Sequence, residues 1–233
     1  MNSDRRNAIV IGVLFIVAAV ASIIGFLLYG PILNNPDYVL KGPTSENQIA
    51  LGAFFELVTA AAVAGTSITL FQYLRRRSET KAVSYLAFRL LEAFLIVLGA
   101  VSMLSILTLR QQFAAGMALD AAALQVFARA LIAVHDWTFI LGPNFMLGIN
   151  TLIYSSVLYQ TKLIPRPLAT LGVIAAICVF TAGVLELFGI IAQVSAWGAV
   201  LSLPVATFEI GFAVYLIARG FRPAALAELA TQS

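Results

Sequence analysis

Long apolar runs separated by short polar segments alternate along the whole chain. Each run lasts about 20 residues or more, the length at which an α-helix crosses the hydrocarbon core of a bilayer. The pattern predicts an all-α, polytopic transmembrane helical bundle with about six crossings, in which residues 1–233 form a single integral membrane domain. We expect the crossings at 8–29, 49–74, 82–109, 135–159, 168–191 and 197–218.

The segment between the third and fourth runs has a different pattern. Gln125 and Arg129 lie four residues apart, and apolar residues such as Leu124 fall on another side of the same helix. A polar face opposite an apolar face predicts one amphipathic helix lying at the membrane interface. Within the fourth run, Gly142-Pro143 predicts a kink.

The composition agrees with an integral membrane protein. Hydrophobic residues make up 61% of the chain and charged residues only 11%, with a mean hydropathy of +0.96, whereas about a quarter of the residues in a soluble domain are charged. The net charge of +3 does not indicate a nucleic-acid partner, because the basic residues gather beside the helix ends, where membrane topology accounts for them. The lipid bilayer is the partner that the composition predicts.

The lysines and arginines predict the orientation. Of the 14 basic residues, only Lys41, Arg110 and Arg129 fall on one side of a six-crossing chain, and Arg89 lies inside a run. The others gather on the opposite side, so the positive-inside rule places both termini in the cytoplasm.

Ionisable side chains interrupt the apolar runs. Arg89 and Glu92 are three residues apart, close to one helical turn, so the two side chains can pair. An ionised group in hydrocarbon costs about 2.5–3.5 kcal/mol or more, so we expect such groups to face other helices. The candidate ligand- or ion-binding residues are Glu56, Arg89, Glu92, His135, Asp136, Asn144, Glu186 and Glu209.

Helix geometry divides the charged candidates into two tiers, at 1.5 Å of rise per residue. The tier nearer the cytoplasm contains Arg89, Glu92 and Glu209. The tier nearer the other side contains Glu56, Glu186 and His135-Asp136. Asn144 belongs to a polar and small stripe on the fourth run with Gly148, Thr151 and Ser155, which lines either a helix contact or a wet cavity.

The charge balance indicates an internal site. Arg89 alone cannot neutralise the carboxylates inside the runs, so the surplus must hold protons, bind a cation or face water. This predicts small-ligand binding or proton- or cation-linked transport, with a small cationic or amphiphilic ligand.

Two alternatives stay open. One is an intramembrane enzyme that acts on a lipid-like substrate through a carboxylate pair or a metal, for which the weak candidate ligands are His135, Asp136, Glu56 and Glu186. The other is a structural or sensory protein whose polar pairs only hold the helices together. The sequence identifies no cofactor.

Three short motifs carry a resemblance to a known family. They are 87–92 (AFRLLE), His135-Asp136, and 158–172 (LYQTKLIPRPLATLG). In these the chain resembles a bacterial family of multi-pass membrane proteins known only as a domain of unknown function, although it has Gln160-Thr161-Lys162 where the family has an Arg-Ser-type doublet. The resemblance implies a fold of six or seven helices in the bacterial inner membrane, and it implies no established activity.

Overall fold

The computed structural model describes residues 3–35, 37–41, 46–117 and 120–232, and these residues form helices and no strands. In chain order the elements are α1 (Ser3–Leu28), α2 (Gly30–Leu33), α3 (Tyr38–Lys41), α4 (Glu46–Arg75), α5 (Glu79–Ala114), α6 (Ala121–Phe139), a π-helical segment (Ile140–Met146), α7 (Leu147–Thr161), α8 (Arg166–Leu187), α9 (Ala196–Arg219) and α10 (Pro223–Gln232). We call Ile140–Met146 the π segment.

Within the described residues, six helical stretches are long and apolar enough to cross a membrane, which confirms the predicted helical membrane bundle. They are α1, α4, α5, the continuous stretch from α6 through α7, α8 and α9. Most begin or end a few residues outside the predicted ranges. α8 also begins two residues before its predicted range, but it ends four residues short of it, at Leu187, and is followed by the non-helical residues 188–195.

The fourth crossing differs from the prediction at its start. Ala121–Thr161 is one rod of 41 residues, about 60 Å long, roughly twice the thickness of a hydrocarbon core. The amphipathic segment is helical, as predicted, and it forms the beginning of this rod instead of a helix separated from the crossing. The Asp120 carboxylate caps the rod at the Ala122 N–H, and Leu124 packs with α5 residues in a buried cluster. No helix-breaking residue then intervenes before Gly142-Pro143, so the helix continues without a break to the π segment.

Both chain ends lie at one end of the bundle, which we call the terminal face. Arg5, at the start of α1, donates hydrogen bonds to the carbonyls of Leu216 and Ile217, at the end of α9, over 2.8 and 2.6 Å. The Arg222 N–H, which precedes α10, donates to the Leu163 carbonyl between α7 and α8. The ten-residue α10 follows at this face.

We call the other end of the bundle the distal face. There α2, α3 and the start of α6 pack together with the end of α5. The Arg110 guanidinium donates to the Tyr38 carbonyl over 3.0 Å, and the Gln125 amide donates to the Asp37 carboxylate over 2.8 Å. These contacts hold α3 and the residue before it against the end of α5 and the start of α6.

Small residues let the spanning helices approach closely, as expected where association depends on packing. A Cβ atom at Gly12 of α1 would lie 2.7 Å from the Ala213 carbonyl oxygen of α9, and one at Gly148 would lie 2.8 Å from Phe180 Cβ of α8. Gly148 belongs to the polar and small stripe, so at this position the stripe forms a helix contact.

The predicted kink appears as the π segment, which contains Pro143. Proline has no N–H to donate and its ring clashes with the carbonyl four residues earlier, and a widened turn relieves both problems. The widened turn places Pro143 and Asn144 next to the distal half of α1, where the cavities described below are found.

Candidate functional site

Glu56 is the centre of a polar cluster near the distal face, which we call the Glu56 cluster. The Tyr29 hydroxyl donates to Glu56 Oε2 over 2.9 Å, and His135 Nε2 lies 3.3 Å from Glu56 Oε1. The Tyr29 and His135 rings meet edge to face at 5.5 Å. The other ring nitrogen of His135, Nδ1, lies 3.6 Å from the Asp136 carboxylate. Since a carboxylate only accepts hydrogen bonds, Nε2 carries the proton when Glu56 is ionised.

Tyr29 follows directly after α1 and acts as a fixed donor. Burial, together with the neighbouring Glu56 carboxylate, raises the pKa of its phenol above the ordinary value. The hydroxyl therefore stays protonated and donates a hydrogen bond to Glu56.

A cavity of about 50 Å³ lies beside Glu56 and His135, between α1, α4, α5 and the rod that forms the fourth crossing. We call it the head cavity. Three hydroxyls line it, and each donates to a carbonyl of its own helix: Ser22 to Ala19, Thr59 to Phe55 and Thr138 to His135, over 2.9, 3.0 and 2.8 Å. Because these protons are already used, the hydroxyls offer the cavity only oxygen lone pairs. The head cavity therefore presents hydrogen-bond acceptors beside a carboxylate.

Two larger cavities adjoin the head cavity. The first, of about 370 Å³, is mostly apolar and shares Ser22, Phe26 and Phe139 with the head cavity. The second, of about 590 Å³, has a mixed lining that includes Asn34, Asp136 and Gln193 near the distal face. We call them the apolar chamber and the distal vestibule. Phe26 lines all three cavities.

Glu186 lines the apolar chamber and lies outside the Glu56 cluster. It is 7% exposed, and the Asn144 amide donates to its Oε2 over 2.6 Å. The π segment places Asn144 there, opposite the end of α8. Two predicted candidates, Asn144 and Glu186, are thus in direct contact.

A second cluster surrounds Arg89, nearer the terminal face, and we call it the Arg89 cluster. The guanidinium lies 3.0 Å from Glu92 Oε2 and 3.6 Å from Glu209 Oε1, and it donates to the Thr66 hydroxyl over 3.2 Å. The Asn150 amide donates to Glu92 Oε2 over 2.6 Å. Arg89 is 1% and Glu92 3% exposed, so the cluster links α4, α5, α7 and α9 inside the bundle.

Some polar atoms of the Arg89 cluster have no hydrogen-bond partner within the described ranges. They include Asn150 Oδ1 and Glu209 Oε1, together with Ser155 Oγ and the Tyr85 and Tyr154 hydroxyls nearby. Arg89 also lies over the Phe15 ring, 5.3 Å from its centre. Arg89 therefore contacts an aromatic ring in addition to its two carboxylates.

The structure groups the predicted candidates in three places. Arg89, Glu92 and Glu209 meet in one cluster, and Glu56, His135 and Asp136 meet in another, while Glu186 contacts Asn144 instead of joining the second group. Sequence reasoning missed three partners: Thr66, Asn150 and Tyr29. Asn150 carried a signal, since an amide in the middle of an apolar run needs a partner.

The described part of the chain contains no group of three or more His, Cys, Asp or Glu side chains placed to hold a metal ion. Among the weak metal candidates, Glu186 is held by Asn144, and Asp136 lies 3.6 Å from the same imidazole that contacts Glu56. The geometry assembles an acid–imidazole–acid series and does not form a metal-ligand shell.

Comparisons with known proteins agree with this description. A comparison with curated proteins and one with solved structures each find no match to the chain. A family model described as "Domain of unknown function (DUF4386)" matches residues 10–220. The match covers most of the chain, including all six long apolar stretches in whole or in large part. The chain therefore belongs to this family, a family of unknown function whose member here is a multi-pass helical membrane protein.

Proposed function

We propose that the protein binds a small organic ammonium ion in the head cavity, with Glu56 as its counter-charge. The observation that carries this proposal is the lining of the cavity: a carboxylate stands beside hydroxyls whose protons are all donated elsewhere. An ammonium group has several N–H donors and no acceptor, so it complements such a lining.

The charges of the Glu56 cluster favour a cation as well. The hydrogen-bond partners of Glu56 among the described residues are the Tyr29 phenol and the His135 imidazole, and neither group is permanently charged. When His135 is neutral, an ionised Glu56 has no opposite charge in contact with it, and a bound ammonium ion supplies that charge. When His135 is protonated, the imidazolium can release its proton to water as the ammonium ion enters. Binding of a cation in exchange for a proton is also the step that proton-linked transport requires.

The same proposal includes an orientation. Arg5, Arg75, Arg76 and Arg77 lie at or near the terminal face, and the positive-inside rule then makes this face cytoplasmic. In a bacterial inner membrane the distal vestibule would open to the periplasm. The ligand would therefore reach the head cavity from outside the cell.

Titration calorimetry on the full-length protein in lipid nanodiscs tests the proposal, with methylammonium and butylamine as the ligands. The wild type should bind both, and Glu56→Gln should weaken binding at least about tenfold, because the ion pair and charge-assisted hydrogen bond are lost. Repeating the titration in buffers of different ionisation enthalpy should reveal proton release on binding.

The matched control is Glu79→Gln, which makes the same chemical change at a side chain that is 74% exposed at the start of α5. It should bind both amines as the wild type does. Absence of amine binding by a wild-type protein that is folded and monodisperse would refute the proposal. Equal affinities of wild type and Glu56→Gln would refute the assignment of Glu56.

A further inference from the structure

Glu186 is a buried carboxylate that belongs to neither cluster. Its Oε2 is held by the Asn144 amide at 2.6 Å. Gly198 lies next to the other oxygen: a Cβ atom built at Gly198 would lie 3.4 Å from Glu186 Oε1. Because glycine has no side chain, nothing at position 198 covers Oε1 from that direction. Asn144 thus orients the carboxylate. No described residue donates a hydrogen bond to Oε1, so this oxygen is left for another donor within the apolar chamber.

The apolar chamber connects Glu186 with the Glu56 cluster. It shares Ser22, Phe26 and Phe139 with the head cavity, so the two cavities lie side by side with aromatic rings at their boundary. Each cavity is lined by one glutamate, the partly buried Glu56 in the head cavity and the buried Glu186 in the chamber. The head cavity, at about 50 Å³, holds only a few water-sized groups, whereas the chamber, at about 370 Å³, lies within the size range of small-molecule pockets.

Both carboxylates lie near the distal end of a spanning helix. Glu56 contacts Tyr29, which directly follows α1, and Glu186 is next to Leu187, the last residue of α8. The distal vestibule shares Phe26 and Leu27 with the chamber and has a mixed polar lining. A ligand that comes from water can therefore reach both acids without crossing the hydrocarbon core.

We infer that the ligand of this site is a linear aliphatic diamine in its doubly protonated form. One ammonium group binds Glu56 in the head cavity, the other binds Glu186, and the methylene chain lies along Phe26 and Phe139. Two acceptors of one charge sign, separated by apolar walls, match a molecule with two cationic ends and an apolar middle. The inference rests on the proposed ammonium site and adds the class of its ligand.

Calorimetry with matched pairs of amines tests this inference on the full-length protein in nanodiscs. The pairs are butylamine with putrescine, pentylamine with cadaverine, and hexylamine with hexamethylenediamine. In the wild type, one diamine should bind at least about tenfold more tightly than the alkylamine of equal length, since a second charge-assisted contact forms. Glu186→Gln, which keeps an oxygen to accept from Asn144, should remove this preference, and Glu79→Gln should retain it.

The wild type alone gives a second readout that needs no variant. Diamine affinity should be greatest at one chain length, the one that spans the two carboxylates, whereas alkylamine affinity should rise steadily with each methylene. Equal affinities of diamine and alkylamine at every length would overturn the inference while leaving the ammonium site intact. A diamine preference that persists in a folded Glu186→Gln would also overturn it. Failure of every amine to bind would instead refute the proposed function itself.

Discussion

The two polar clusters of this bundle share helix α4 but are built in opposite ways. Thr66 of the Arg89 cluster lies ten residues after Glu56, about 15 Å along the helix. The Arg89 cluster surrounds a permanent cation that is 1% exposed and joins four helices through it. Among the described residues, Glu56 has only titratable or neutral partners, and it lines a cavity. Similar residue types therefore form a closed ion network at one depth and an accessible acidic site at another.

The difference indicates a division of labour. A buried cation that contacts its carboxylates directly keeps its helices together, because removing one partner leaves an uncompensated charge. A carboxylate without a permanent partner contributes little to cohesion and remains available to a ligand. Substitutions in the Arg89 cluster should thus change stability, and substitutions in the Glu56 cluster should change binding.

The largest expected effect is that of Arg89→Met. This change leaves the buried Glu92 and the partly buried Glu209 with no cation between them, and we expect the free energy of unfolding to fall by about 3–5 kcal/mol. Thermal unfolding of the purified protein, followed by loss of the monodisperse peak, measures it. Combining Arg89→Met with Glu92→Gln and Glu209→Gln removes the whole charge set and should recover most of the loss. A stable single variant would show that the cluster does not hold the bundle together.

The second prediction concerns Glu56→Gln, measured for stability as well as binding. Glutamine can still accept from Tyr29, so we expect the free energy of unfolding to change by less than about 1 kcal/mol, in line with typical hydrogen bonds in membrane proteins. Amine binding should nevertheless be lost. A loss of stability as large as that of Arg89→Met would remove the distinction between the clusters and would favour the structural alternative for both.

Much of the fold could be predicted from the sequence, because the spacing of apolar runs is set by the thickness of the bilayer. The Arg89–Glu92 contact could be predicted for a similar reason, since helix periodicity places residues three apart on one face. The start of the fourth crossing could not be located in this way. An amphipathic segment that packs on α5 has the same periodicity as one that lies on a membrane, and only the tertiary contact of Leu124 distinguishes them.

The partners across helices were harder to predict than the charges themselves. Depth along a helix grouped Glu186 with Glu56, but depth carries no information about rotation around the bundle axis. The widened turn at Pro143 directs Asn144 towards α8 and thereby gives Glu186 a partner of its own. Asn150 was missed because it lies outside the stripe formed by Asn144, Gly148, Thr151 and Ser155.

A smaller effect should follow from Asn150→Ala. The Asn150 amide donates both to Glu92 Oε2 over 2.6 Å and to the Met146 carbonyl over 2.7 Å. Losing a donor to a buried carboxylate should lower the free energy of unfolding by about 1–2 kcal/mol. Amine affinity should stay within about twofold of wild type, because the residue belongs to the Arg89 cluster. A variant that loses binding but keeps its stability would show that Asn150 contributes to the binding site and not to the cohesion of the Arg89 cluster.

The smallest expected effect is that of Tyr29→Phe, and it tests the Glu56 cluster most finely. The ring should keep its edge-to-face packing on His135 at 5.5 Å, so stability should scarcely change. What is lost is one hydrogen bond that holds the Glu56 carboxylate in place. The carboxylate is then less firmly oriented towards an ammonium ion, and the amine affinity should fall about two- to fivefold, a loss of up to about 1 kcal/mol. Calorimetry of the wild type and Tyr29→Phe in the same nanodiscs measures the difference. A loss as large as that of Glu56→Gln would mean that Tyr29 contacts the ligand itself and does not act through Glu56.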